Sequence, residues 1–98
     1  MAYSSPVPGR YRGDEILAVS SSAVALAAVA AGANFVSVRV VGNDVRMRGN
    51  GVAPTSAAGQ LLKADEVFEW PGKPEELLLL RFIRVSADAT LDVAYYRV

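Results

Sequence analysis

The chain has no cysteine and no histidine. The first absence excludes a disulfide framework and thiolate chemistry, so the fold must hold without covalent staples and can form in a reducing compartment. The second removes the commonest general base and metal ligand. Together they leave the usual nucleophile–base pairs of covalent catalysis without material. Long apolar runs are missing too. The longest, residues 23–31, has nine members, far short of the roughly 20 that a membrane-spanning helix needs. Pro6, Pro8, Asp14 and Glu15 before it are the wrong flank for a secretory signal. Net charge is absent as well: 10 basic and 10 acidic residues cancel. A general attraction to nucleic acid or to an anionic membrane is therefore not expected.

What remains reads as one all-β domain. With 98 residues the chain is long enough for a modest core but not for two. Residues 35–41 alternate cleanly, Val36, Val38 and Val40 on one face against Ser37 and Arg39 on the other. Gly42-Asn43 is a two-residue turn signal; closing a hairpin there opposes Val40 with Val45, Val38 with Met47 and Arg39 with Arg46. Further short strands are expected at residues 16–20, 23–31, 60–62 and 67–70, with one helical turn at Pro74-Glu75-Glu76. Residues 49–59 hold three glycines and a proline and read as a long loop, with Thr55 or Ser56 serving local backbone bonds. The last 22 residues predict a second hairpin about Asp88. Its register opposes Ile83 with Val93 and Val85 with Leu91 inside, and Arg84 with Asp92 outside. Seven or eight short strands with frequent turns make an antiparallel β-sandwich or jelly roll. Residues 1–15 are expected to form an extended N-terminal arm and residues 16–98 the sandwich domain.

The chemistry-bearing residues point to binding rather than catalysis. Asp14-Glu15, Asp65-Glu66 and Glu75-Glu76 are sequence neighbours in turns, where solvated charge is the ordinary state. No group of oxygens converges as a calcium or magnesium site requires. The expectation is therefore a non-enzymatic protein with no metal and no cofactor. Arg39, Arg46 and Arg48 would share one face as a cationic patch for an acidic partner. Tyr3, Val7 and Tyr11 would let the arm run across a neighbouring subunit. In the expected register Leu80, Phe82 and Tyr96 fall on the outer face, apolar surface for contact with a second copy or a second sheet. Arg12-Gly13-Asp14 spells a tripeptide that adhesion receptors read on loops, a match too short to carry weight.

Residues 45–98 resemble a type of small structural protein of tailed bacteriophages. The matching residues run Val45-Arg46-Met47-Arg48, Gly51-Val52-Ala53-Pro54-Thr55, Gly59 and Leu62. They close with Arg81-Phe82-Ile83-Arg84 and Leu91-Asp92-Val93-Ala94-Tyr95-Tyr96. Lys63-Ala64-Asp65-Glu66 departs from the pattern, which has a glycine-containing turn there. The resemblance implies a head decoration (cement) protein, a virion component assembled in the host cytoplasm. Its partner would be the major capsid protein or another virion subunit, and its state a homo-oligomer, trimeric in the first instance. Nucleic acid and membrane are not expected partners. The competing reading is a carbohydrate- or receptor-binding sandwich, for which Trp70 beside Glu69 is the main hint.

Overall fold

The structure is a computed structural model and describes residues 10–98. Eight strands and one helical turn follow in the order β1 (Arg10–Val19), β2 (Val24–Ala25), β3 (Phe35–Val41), β4 (Val45–Arg48), β5 (Gln60–Leu62), β6 (Val67–Pro71), α1 (Pro74–Leu77), β7 (Arg81–Arg84) and β8 (Ala89–Arg97). They form two four-stranded antiparallel sheets, ordered β1-β8-β3-β6 and β2-β7-β4-β5. Strands are joined as if one long ribbon were folded back on itself: β1 pairs with β8, β2 with β7, β3 with β6 and β4 with β5.

The core lies between the sheets. From the first sheet, Val36, Val38 and Val40 stand opposite Tyr95, Val93 and Leu91, and all six are buried. From the second, Val45, Met47, Leu62 and Phe82 meet them. The period-two spacing of β3 and of residues 91–95 is what a sheet with one buried face requires. Leu77 and Leu80, on either side of the short turn after α1, complete the packing with no exposed surface. Glu76 accepts a hydrogen bond from the Lys73 N–H at 2.8 Å, which fixes the start of that helical turn.

Several expectations are corrected here. The terminal hairpin does not form: β7 and β8 lie in opposite sheets, and residues 85–88 carry the chain across the sandwich. Arg84 accordingly pairs with Asp88 at 2.6 Å, not with Asp92. In β7 the buried residue is Phe82, with Ile83 only half-buried on the outer face. Leu91 and Val93 do point inward, and Val85 is half-buried. The Gly42-Asn43 turn is likewise a corner between sheets, since β3 and β4 do not pair. Of residues 23–31 only Val24 and Ala25 are strand. Conversely, β1 starts at Arg10, so residues 10–15, expected in the arm, are paired with β8. In the turn Lys63-Ala64-Asp65-Glu66, Asp65 takes a left-handed φ of 70°, the conformation glycine usually supplies.

Candidate binding surface

The outward residues of the β1-β8-β3-β6 sheet form a shallow groove of about 550 Å³. A break in register between Tyr11 and Gly13 marks a bulge at Arg12. The bulge reverses the alternation of β1, so Tyr11 joins Asp14 and Ile16 on the outer face. There Tyr11 meets Tyr96 edge-on, ring centroids 6.0 Å apart and planes at 73°, a favoured aromatic geometry. The Tyr11 hydroxyl donates to the Asp14 carboxylate. That bond raises the Tyr11 pKa above its ordinary value, and the nearby negative charge adds to the effect. Further along, Arg39 of β3 is opposed by Asp92 of β8, both lining the groove with Ala94. Ile16 is 76 % exposed, which is much for a branched aliphatic side chain in a strand.

The inward face of β1 holds a different device. Glu15 accepts hydrogen bonds from the backbone N–H of Ala28 at 2.8 Å and of Ala27 at 3.2 Å, and from the Tyr95 hydroxyl. A carboxylate at a strand position thus satisfies a stretch of loop that the sheet does not. The N–H groups of Ala27 and Ala28 thus find their partner in Glu15 and not in a neighbouring strand. Tyr95 is fully buried. Burial first, and then its bond to Glu15, push its pKa far above the normal tyrosine value.

The expected site residues are not brought together. Arg39 lies on the first sheet, Arg46 and Arg48 on the second, so the three share no face. Arg46 is committed to structure: its guanidinium donates to the carbonyls of Ser56 at 3.2 Å and Gly59 at 2.9 Å. It therefore closes the 49–59 loop, where Thr55 also accepts from the Ala57 N–H as expected. Arg48 stands opposite Arg81 in β7. Leu80 and Phe82 have no exposed surface, so these two belong to the interior of one chain and not to an oligomer contact, whereas Tyr96, though largely covered, faces outward and lines the groove beside Tyr11. Burial by a second sheet accounts for Leu80 and Phe82. Tyr11 is 55 % exposed and lines the groove; Tyr3 and Val7 lie outside the described residues. Trp70 stacks on Phe68, centroids 5.5 Å apart, and comes so close to Gly49 that a Cβ there would sit 3.0 Å from its ring. That half-buried ring is engaged in packing against the core. The Arg12-Gly13-Asp14 tripeptide sits in β1 and not at a loop tip.

The groove is not legible in the sequence. Its residues Tyr11, Asp14 and Ile16 are present there, but only the bulge puts Tyr11 beside the other two. Among the described residues no cluster of acidic side chains could hold a metal ion. No family model, curated protein or solved structure matches the chain.

Proposed function

We propose that this chain is a non-enzymatic structural subunit of a phage virion, a decoration protein that docks on the capsid shell. The observation that carries the reading is the outer face of the β1-β8-β3-β6 sheet. An exposed aliphatic residue, an aromatic pair and charges of both signs line one groove there. Protein–protein contacts are enriched in aromatic residues and arginine, and a patch of this kind suits a protein surface better than a small molecule. The phage-type resemblance of residues 45–98 favours the major capsid protein or another virion subunit as the partner. The strand order supports a jelly roll: eight strands, two sheets, and each early strand paired with its counterpart counted from the end. Residues 1–9, with Tyr3 and Val7, would make the second contact. The trimeric state belongs to the same proposal, though Leu80 and Phe82 are not available to build it.

The test is co-sedimentation with shells assembled from the major capsid protein of the phage that encodes the chain. Saturable binding at a fixed ratio is expected, and Ile16→Glu or Arg39→Glu should reduce occupancy at least tenfold. Shells that stay bare at saturating protein would dismiss the reading. Tyr11 beside Asp14, with Asp92 lining the same groove, is the feature a sugar-binding module would use, and saturable binding on a glycan array would favour that alternative.

A further inference from the structure

One end of the β1-β8 pair carries three arginines. Arg10 and Arg97 are directly opposed across the two strands, an arrangement that like charges ordinarily disfavour. Arg12, at the bulge, is directed to the same end: its Nη2 donates to the Ala31 carbonyl at 3.3 Å, while Arg97 Nη1 donates to the Gly32 carbonyl at 3.1 Å. All three line a groove of about 580 Å³ together with Gly32 and Val98. Gly32 takes a left-handed φ of 77°, and a Cβ at that position would touch Arg12 at 3.5 Å. The turn at residues 31–32 thus offers both carbonyls to the arginines and leaves them room.

Among the described residues no carboxylate lies within ion-pair distance of these guanidinium groups. The acids nearest in β1 are engaged elsewhere, Asp14 with the Tyr11 hydroxyl and Glu15 with Ala27, Ala28 and Tyr95. The fold gathers three positive charges, and among the described residues no acidic side chain forms an ion pair with any of them. A guanidinium has five N–H donors. Arg12 and Arg97 each use one on a backbone carbonyl, which orients the planar fork and leaves the other donors available. Pre-ordering of this kind lowers the entropy lost when a ligand binds.

We propose that Arg10, Arg12 and Arg97 form an oxyanion-recognition site, and that its ligand is an acidic segment of the partner protein. Two features favour carboxylates over phosphate. Guanidinium forks match planar carboxylates in bidentate fashion. Phosphate sites are characteristically wrapped by backbone N–H groups, whereas the backbone groups turned to this site are the Ala31 and Gly32 carbonyls. The zero net charge of the chain also gives no long-range pull toward a nucleic-acid backbone. The site deepens the docking proposal, on which it rests for the identity of the partner. It adds an ionic anchor at the end of the strand that carries Tyr11 and Ile16.

The experiment is titration of the full chain with a hexaglutamate peptide at low ionic strength, followed by calorimetry and by the arginine side-chain N–H signals in NMR. Saturable binding that weakens with added salt is expected. The triple variant Arg10→Gln, Arg12→Gln, Arg97→Gln should lose at least tenfold in affinity, and Arg48→Gln should lose nothing. Arg12 and Arg97 also tie down a loop, so Arg10→Gln, which leaves both loop contacts in place, is the variant that separates binding from folding. It should weaken binding several-fold at an unchanged thermal midpoint. Inorganic phosphate and a single-stranded thymidine oligonucleotide are titrated in parallel. Absence of saturable peptide binding, an unaffected triple variant, or tighter binding of either phosphate probe than of the peptide would overturn the proposal. Shell binding that survives the triple variant would overturn the anchor while leaving the docking function standing. Peptide binding without shell binding would do the reverse.

Discussion

At the scale of single residues, the Glu15–Tyr95 contact is where the electrostatics of the fold are concentrated. Tyr95 is buried and gives its proton to a hydrogen bond with a carboxylate, so its pKa lies far above the unfolded value of about 10. The sign of the linkage follows. Below pH 10 both states hold the proton and the contribution is fully present. Above pH 10 the unfolded chain releases the proton while the folded chain keeps it, so stability falls as pH rises, by up to about 1.4 kcal/mol per pH unit from this group. Urea denaturation between pH 8 and 11.5 should show that alkaline decline. Tyr95→Phe should flatten it while costing about 1–3 kcal/mol at pH 7, because Glu15 loses one of its donors. An alkaline limb of equal slope in the variant would place the titration elsewhere.

At the scale of the strand, the face presented by β7 has been inverted relative to the alternation argument, and the energetic consequence is measurable. Phe82 is inside, opposite Met47, whereas Ile83 shares the outer face with Arg46. Phe82→Ala should cost about 3–5 kcal/mol, the range for truncating a fully buried aromatic residue. Ile83→Ala, at a half-buried position, should cost about 1 kcal/mol. Chemical denaturation of the two variants side by side decides the matter. Equal losses, or a larger loss for Ile83, would return the strand to the register read from its sequence. Arg46 shows a related lesson. Its charge suggested a partner, but its donors close the loop that follows its own strand.

At the scale of the whole molecule, the ribbon-like pairing sets how the chain must fold. The β1–β8 pairing joins Arg10 to Arg97, nearly the full length of the sequence. Loop-closure entropy must be overcome before such contacts contribute, so all-β domains of this kind fold in roughly milliseconds to seconds. Stopped-flow refolding followed by the fluorescence of Trp70, the single tryptophan, should show a main phase in that window. A main phase in microseconds would mean that local contacts suffice and that the long-range pairing does not limit the rate. The same pairing places the two candidate contact regions on one sheet. The groove with Ile16 and the arginine end with Arg97 both depend on β1 lying against β8.

The sequence by itself determined the class of fold and the position of several of its elements. Period-two spacing located β3 and β4, turn residues marked the loop at 49–59, and Pro74-Glu75-Glu76 marked the helical turn of α1. These signals are local, because strand pleat and turn conformation depend on neighbouring residues alone. Which strands pair was settled only by the tertiary structure. Opposed apolar residues in one sheet and facing apolar residues across a core leave the same pattern in sequence. The hydrophobic match of Ile83 with Val93 therefore could not distinguish a hairpin from a crossing between layers. The binding features were legible to the same limited extent. Arg10, Arg12, Arg97, Tyr11 and Ile16 are plain to read, but their two sites exist because a bulge at Arg12 and a glycine turn at Gly32 bring distant residues to one end and one face. Such irregularities are decided by the packing of the whole chain.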